Sequence, residues 1–287
     1  MKIRIAVPSK GRISDPSVAI LEKAGLKIED PTNRRLFSKT NHENIEVMFV
    51  RAADIGSYVE DGVVDMGISG LDLISEANVQ VEILSDLNFG KTSLVIASPE
   101  DCKIDSIGDI NTNMTIATEF PNLTKEYLRS HGLDLKIHRL SGSTEIAPHI
   151  GVADLISDLT STGETLKKNH LKIIDKILDS SIMLITNKNS YLKKKEIIDS
   201  VKISIDGVIE AENKRLLIMN LNKNDLSKIK DILPSMAGPT VSEVLAKDET
   251  LAIQVIVDEN RVFELVNKLK NAGARDILVV QVERIIN

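Results

Sequence analysis

The chain has 287 residues, 42% hydrophobic residues and one cysteine, so it can bury a sizeable core without disulfides. Its net charge of −6 and its 3% aromatic content argue against a nucleic-acid-binding surface. No apolar run approaches the roughly 20 residues of a membrane span, and residues 1–30 contain no leader-like segment. We therefore expect a cytoplasmic protein with neither a nucleic-acid nor a membrane partner.

Strand-like and helix-like segments alternate along the first part of the chain. The pattern predicts strands at 2–8, 45–50, 64–68, 81–84 and 94–97, and helices at 15–24, 53–61 and 72–77. A second series follows, with strands at 114–118, 135–139 and 153–158 and helices at 123–131 and 144–150. Such alternation is typical of parallel sheets with helical crossovers.

The two series predict two α/β lobes. Lobe I is expected to comprise about 1–97 plus 180–206, because the strand-like segment 180–187 returns the chain to it, and lobe II about 98–179. Together they form a two-lobed region, residues 1–206, like that of a periplasmic binding protein. Two lobes joined by crossing strands leave a cleft, and such clefts bind small molecules.

The pattern changes after about residue 206. Strands are predicted at 214–221, 241–245, 251–257 and 277–285, and helices at 225–233 and 262–272. This βαββαβ order predicts a ferredoxin-like (ACT-like) α+β domain over 207–287, whose second helix ends at Gly273. The run Lys193–Lys195 is interpreted as a solvated helix face.

Small, hydroxylated and basic residues follow the predicted strands, where open α/β sheets bind ligands. The strand-end residues are Lys10, Gly11, Arg12, Arg51, Gly70, Asp72, Glu119 and the stretch 141–143. Basic residues before a helix N-terminus become favourable once an anion lies among them. Alternatively, Lys10 and Arg12 extend into water, and Arg51 pairs with Asp54.

The stretch SDLTSTGET, residues 157–165, is the most informative polar loop. Its hydroxyls and backbone N–H groups lie at a predicted strand-to-helix turn, which suits a phosphate group. Asp154 and Asp158 are spaced to share one face of the preceding strand, and carboxylates accept hydrogen bonds from sugar hydroxyls. We therefore predict a phosphosugar site. The alternative is that the hydroxyls only cap the following helix.

These residues resemble the ATP phosphoribosyltransferase family, which catalyses the first step of histidine biosynthesis. The resemblance is carried by Glu145, Gly151 and the stretch ADLISDLTSTGETL at 153–166. It extends over nearly the whole chain, through PSKGR at 8–12, RAADIGSYVEDGVVDMGISGLD at 51–72, FGK at 89–91, IATEFPNLTKEYL at 116–128, LPSMAGPTVSEV at 233–244 and LKNAGARDILVVQVERI at 269–285.

The resemblance implies a hexamer, or a dimer in equilibrium with it, that uses Mg²⁺ and joins ATP to 5-phosphoribosyl 1-diphosphate. It implies inhibition by histidine, and the last two motifs resemble the regulatory domain of the long form. The implied catalytic residues are Glu145, Asp154 and Asp158. The phosphoribosyl site comprises Asp158, Leu159, Thr160, Ser161, Thr162, Gly163, Glu164 and Thr165.

Further roles follow from the same resemblance. ATP or diphosphate is expected to contact Lys10, Gly11, Arg12, Arg51, Gly70 and Asp72, and histidine is expected near Met236, Thr240, Gly273 and Asp276; the ligands of the metal ion are left open. Two other classes stay in view. Solute receptors share the two-lobed form but are generally exported, and in a regulatory subunit without chemistry the polar loops at 8–12 and 157–165 should have eroded.

Overall fold

The computed structural model describes residues 2–29, 36–230, 232–233, 238–245 and 249–286. The chain forms two compact units, Met1–Lys202 and Ile203–Asn287. The division falls inside the helix Lys195–Ala211, a few residues before the predicted boundary at 206. Within the described ranges, no helix is both long enough and apolar enough to cross a bilayer.

The strands of the first unit are β1 (Ile3–Pro8), β2 (Phe37–Lys39), β3 (Ile45–Val50), β4 (Met66–Gly70), β5 (Glu82–Asp86), β6 (Thr92–Pro99), β7 (Thr115–Thr118), β8 (Lys136–Arg139), β9 (Leu155–Thr160), β10 (Leu171–Ser180) and β11 (Ile182–Thr186). Its helices are α1 (Ser14–Lys23), α2 (Ala52–Glu60), α3 (Leu71–Ala77), α4 (Pro121–Ser130), α5 (Glu164–Lys168), α6 (Lys188–Lys193) and α7 (Lys195–Ala211), which continues into the second unit.

The first sheet has the strand order β2-β3-β1-β4-β11-β5, and we call it with its helices lobe I. The strands β3, β1 and β4 are parallel and almost continuously apolar because both faces of the sheet are buried. Pro8 lies opposite Val50, so the loops that follow these strands meet at one edge of the sheet.

The second sheet has the order β10-β6-β9-β7-β8 and forms lobe II. Its strands β9, β7 and β8 are parallel, and β10 is a long strand that the sequence did not predict. The strand β6 pairs with β9 and β10 over nearly its whole length. The sheet of lobe II therefore begins at Thr92, and the predicted change of lobe near residue 97 is placed too late.

The parallel pairing predicted from the alternation is present in both sheets, but both sheets are mixed. The strand β11 runs antiparallel to β4 and β5, and β6 runs antiparallel to β9. Each of these strands comes directly after the chain crosses from one lobe to the other. It therefore enters its sheet from the cleft edge, where the parallel strands end, and must run against them.

The predicted helix at 144–150 is also wrong. The segment contains a single 3₁₀ turn, Thr144–Ile146, followed by hydrogen-bonded turns. Pro148 has no N–H, so it cannot donate to the carbonyl of Thr144 as a helix would require. The 3₁₀ turn that carries Glu145 packs against β9.

The second unit contains β12 (Lys214–Asn222), α8 (Leu226–Lys230), β13 (Thr240–Glu243), β14 (Thr250–Asp258), α9 (Glu259–Asn271) and β15 (Arg275–Gln281). Its antiparallel sheet has the order β13-β14-β12-β15, which is the ferredoxin-like arrangement. Gly273 has a φ of +102° directly after α9, as expected of a helix-ending glycine. The predicted fold class, a two-lobed α/β region of binding-protein type with a ferredoxin-like domain after it, is confirmed by these sheets.

One lysine of the run Lys193–Lys195 is not the solvated residue that the sequence analysis expected. The ammonium group of Lys194 donates to both carboxylate oxygens of Asp65, at 2.8 and 2.9 Å, and to the carbonyl of Lys2. Asp65 is buried and also accepts from the N–H of Arg4 and the hydroxyl of Ser190. This network fixes the end of α6 against β1 and β4.

We expect Lys194→Met to lower the free energy of unfolding by about 2 kcal/mol, because it leaves a buried carboxylate without its cation. Lys193→Met, which changes the exposed neighbour, is expected to alter it by less than about 0.5 kcal/mol. Urea denaturation of both variants at the same pH measures the difference. Equal midpoints would show that the ion pair contributes nothing.

Candidate active site

Three carboxylates lie near the carboxyl ends of the parallel strands of lobe II. Glu119 follows β7, Glu145 lies in the 3₁₀ turn after β8, and Asp158 is in the second half of β9. Glu119 closely approaches the loop after β8, because its Oε1 lies 3.7 Å from where a Cβ on Gly142 would stand. The structure thus brings together Glu145 and Asp158, which the sequence nominated, and adds Glu119, which it only located at a strand end.

The surroundings of Asp158 alter its acidity. Burial raises the pKa of its carboxyl to about 6, and the negative charges of Glu145 and Glu119 contribute to the increase. The N–H of Leu159, which donates to Asp158 Oδ1 at 2.7 Å, acts in the opposite direction. A carboxylate in these surroundings accepts neutral hydroxyl donors readily, because a hydroxyl supplies a hydrogen bond without adding negative charge.

Asp154 does not belong to this cluster, so its predicted catalytic position is wrong. The strand β9 begins at Leu155, and Asp154 stands before it, at the opposite end of the sheet from the cleft. Its carboxylate accepts from the N–H and the hydroxyl of Thr115 at 2.7 and 3.0 Å. Residues four apart share a face of a strand but lie about 13 Å apart along it.

The loop after β9 connects the strand to the short helix α5. The Thr160 hydroxyl accepts from the N–H of Gly163 at 2.8 Å, and the Thr162 hydroxyl accepts from the N–H of Glu164 at 3.4 Å. Both bonds lie within the turn, and the N-cap residue of α5, Gly163, makes no side-chain capping bond. Gly163 has a φ of +76°, a conformation that glycine adopts at little cost. The loop is thus a tight, internally bonded turn directly beyond Asp158.

The basic residues of lobe I meet at the carboxyl edge of the first sheet. Lys10, Gly11 and Arg12 follow β1, and Arg51 follows the adjacent β3; all four are exposed. In the described part of the chain, none of the three cations pairs with a carboxylate, and Arg51 makes no ion pair with Asp54. Gly11 has a φ of +92° and open space around it, so the backbone is accessible there.

Gly70 and Asp72, which the sequence assigned to the same ligand, lie where β4 passes into α3. Asp72 is buried, and its carboxylate accepts from the Ser180 hydroxyl at 2.8 Å. A Cβ on Gly70 would stand 2.1 Å from Asp72 Oδ1, so glycine is needed for this arrangement. Asp72 therefore holds the crossing segment in place, and its contact with a substrate stays a prediction.

A cavity of about 480 Å³ opens between the lobes. It is lined by Leu71, Asp86, Lys91, Thr92, Ser93, Ser161, Asp179, Ser180, Ser181 and Met183. Only Ser161 of the predicted site residues is among them; Lys91 was named only within the motif FGK, and Asp86 and Asp179 were missed. The sequence signal that could have identified these residues is their position, because each lies beside a segment that crosses between the lobes.

The sequence comparisons define the class of protein. Residues 51–207 match the family profile HisG, described as ATP phosphoribosyltransferase, and residues 211–284 match the HisG C-terminal domain. The chain belongs to the ATP phosphoribosyltransferase family. It is therefore an enzyme, a pentosyl transferase of the first step of histidine biosynthesis.

Individual relatives agree with this assignment over their full lengths. The ATP phosphoribosyltransferase of Methanothermobacter thermautotrophicus is 56% identical over 286 residues, covering 100% of both chains. That of Methanocaldococcus jannaschii is 52% identical over 288 residues, covering 99% of this chain and 100% of its own. Among solved structures, a chain of the ATP phosphoribosyl transferase (HisG:HisZ) complex from Thermotoga maritima superposes with a TM-score of 0.63 at 31% identity. It covers 71% of this chain and 98% of its own.

Proposed function

We propose that the chain transfers the 5-phosphoribosyl group from 5-phosphoribosyl 1-diphosphate to N1 of ATP, giving phosphoribosyl-ATP and diphosphate. The observation that carries the proposal is the turn 160–163 standing directly beyond the carboxylate cluster of Asp158, Glu145 and Glu119. The turn offers hydroxyls and N–H groups to a phosphate, and the cluster offers acceptors to the ribose hydroxyls. One phosphorylated pentose uses both.

Attack at the anomeric carbon passes through an oxocarbenium-like state, in which positive charge spreads over the ribose. The carboxylates of lobe II would stabilise that charge, and Asp158 with Glu145 would hold the ribose in line with the adenine ring. The unpaired cations Lys10, Arg12 and Arg51 would receive the departing diphosphate. Adenine N1 is already nucleophilic, so the step needs no strong general base.

We further propose that Mg²⁺ enters with the diphosphate as part of the substrate. Mg²⁺ prefers carboxylate, phosphate and water oxygens, and it commonly keeps few protein ligands. The described residues include no group of three or more His, Cys, Asp or Glu side chains arranged to hold a metal ion by themselves. The carboxylates of Glu119 and Glu145, in the cluster around Asp158, could share such an ion.

Mixing the purified full-length chain with ATP, 5-phosphoribosyl 1-diphosphate and Mg²⁺ tests the proposal. The absorbance of phosphoribosyl-ATP is expected to rise only when both substrates and the metal ion are present. A protein that binds the substrates without forming this product would overturn the reaction and favour the class of binding or regulatory subunits.

We propose that the chain assembles into a hexamer, or into a dimer in equilibrium with it. Apolar side chains stand exposed on the edge strand β15, where Leu278, Val279 and Val280 are 58%, 48% and 41% exposed. An edge strand that carries such residues is a surface for association. Sedimentation velocity at several protein concentrations, with and without substrates, measures the distribution of species.

We also propose that histidine inhibits the enzyme through the second unit. Met236, one of the predicted contacts, lies outside the described residues. Thr240 begins β13 and Asp276 is in β15, which are opposite edges of the sheet, roughly 14 Å apart across two intervening strands. Asp276 accepts from the amide group of Asn220, beside Gly273 at the end of α9. A single histidine can therefore use both edges only where two copies of the chain meet.

We expect Asp276→Ala in the full chain to raise the histidine concentration for half-inhibition more than tenfold, because the variant removes an acceptor for the amino group of the ligand. Activity without histidine should stay within about twofold of wild type. Glu264→Ala, on the exposed face of α9, is the matched control and should leave inhibition unchanged. A truncated chain that keeps α7 whole and ends at Ala211 should be insensitive, and persistent inhibition of it would place the effector elsewhere.

A further inference from the structure

A glutamate of lobe I caps a helix of lobe II. Glu76 is in the last turn of α3, and its carboxylate accepts from the backbone N–H of Asn122 at 3.0 and 3.1 Å and from that of Leu123 at 3.0 Å. In return, the side-chain amide of Asn122 donates to the carbonyl oxygen of Glu76 at 2.9 Å. These are the first N–H groups of α4, because Pro121 occupies its first position.

The charges at this contact indicate that Glu76 serves the other lobe and not its own helix. A carboxylate near the C-terminal end of α3 faces the negative end of that helix dipole, which is unfavourable. At α4 the same charge faces the positive end. The helix α4 supplies no cap of its own, since Phe120 makes no side-chain capping bond and the first turn carries no acidic residue. The two lobes thus complete each other's helix ends.

The contact also has a direct relation to the candidate active site. Residue 119, the first acid of the carboxylate cluster, is separated from α4 only by Phe120. At its other end, α3 begins at Leu71, which lines the cavity between the lobes and whose N–H donates to the carbonyl of Ser181. A single short helix therefore connects the crossing segments to the acids of lobe II.

We propose that Glu76 is a positioning residue whose bridge to α4 sets the spacing of the two lobes during phosphoribosyl transfer. The proposal rests on the proposed function: the bridge would align the cations of lobe I with the acids of lobe II. Without the bridge, the lobes turn about the crossing segments and the competent arrangement is less populated. A lower competent fraction weakens the apparent binding of every ligand that needs both lobes, by the same factor.

The test compares Glu76→Ala, Glu76→Gln and the control Glu126→Ala in the full-length chain. Glu126 is an exposed glutamate of the same helix α4. For Glu76→Ala we expect the KM values of ATP and of 5-phosphoribosyl 1-diphosphate to rise together by about tenfold, with kcat within about threefold of wild type. Glu76→Gln keeps one acceptor oxygen and should recover part of the loss, and Glu126→Ala should match wild type.

Hydrogen exchange followed by mass spectrometry gives a second readout that needs no activity. The N–H groups of Leu71, Leu87 and Ile182 bond across the crossing segments. We expect them to exchange several times faster in Glu76→Ala than in wild type. Faster exchange confined to Asn122 and Leu123, with unchanged KM values, would reduce Glu76 to a local helix cap and overturn the proposal. If wild type forms no phosphoribosyl-ATP, the proposed function fails and the exchange at the crossing segments alone decides the role of Glu76.

Discussion

Asp158→Asn is expected to lower kcat/KM for phosphoribosyl transfer by about 100-fold, because it removes a negative charge that faces the ribose where positive charge develops. The substitution keeps an oxygen that accepts the N–H of Leu159, so the end of β9 should be undisturbed. Asp154→Asn is the matched control, since Asp154 lies on the same segment but at the other end of the strand. It should keep activity within about threefold of wild type. A large loss of activity in Asp154→Asn would contradict this and support a catalytic role for Asp154.

The pH dependence of the same variant has a definite sign. With the pKa of Asp158 at about 6, kcat/KM of the wild type should fall as the pH is lowered through that value, and Asp158→Asn should lack this limb. The free energy of unfolding should change in the opposite direction, falling as the pH rises. The folded state binds more protons than the unfolded chain between the ordinary aspartate pKa and about 6, so the wild type loses stability as the pH rises through this range.

At pH 7.5 the ionised Asp158 is therefore a cost to folding. Asp158→Asn should be more stable than wild type there, by on the order of 1 kcal/mol, and the difference should vanish in acid. Thermal unfolding at several pH values measures it. A variant less stable than wild type at pH 7.5 would show that burial of the ionised Asp158 does not destabilise the folded state.

Gly163→Val should abolish detectable transfer while the fold stays intact. The φ of +76° at Gly163 is strained for any other residue, and most of all for a β-branched one. A Cβ there would meet Ile173 at 3.7 Å, an ordinary contact, so the damage comes from the backbone and not from a clash. Relief of the strain would distort the turn in which the N–H of Gly163 donates to the Thr160 hydroxyl. The predicted contacts with the phosphate would be lost together with the turn.

Gly132→Val is the matched control for this experiment. Gly132 has a φ of +75° with open space around it, in the turn after α4, at the edge of lobe II away from the cleft. Both variants should lose similar stability, about 1–3 kcal/mol, whereas only Gly163→Val should lose activity. Full activity in Gly163→Val would remove the turn from the mechanism.

Much of the fold could be predicted because its signals are local. The strands β1 and β3 were predicted to within a residue because nearly every side chain in them is buried and apolar. The strand β10 was missed because its apolar residues come largely in pairs, LKIIDKILDS, and so do not show the period of two that indicates a strand; the pairing of β10 with β6 has register shifts at these places. The direction of β6 and β11 could not be predicted, since it depends on the edge from which the chain enters each sheet.

In the candidate site too, some residues could be predicted from local sequence signals and others could not. The turn at 160–163 was recognised from its small and hydroxylated residues. Asp154 was misplaced because side-chain alternation predicts which face a residue occupies but not where the strand begins. Glu76 and Lys194 were missed for a different reason: their partners lie 46 and 129 residues away. Charged residues on helices are usually solvated, so only the folded chain reveals such pairs.

The threading of the chain through the two lobes has a consequence for its synthesis on the ribosome. The sheet of lobe II is built from one uninterrupted stretch, from Thr92 to Ser180, whereas β11 must insert between β4 and β5 of lobe I. Until Ile182–Thr186 has emerged from the exit tunnel, the nascent protein holds β4 with an open edge. Co-translational folding should therefore finish lobe II first, and the unfinished first lobe is the form of this protein most in need of a chaperone.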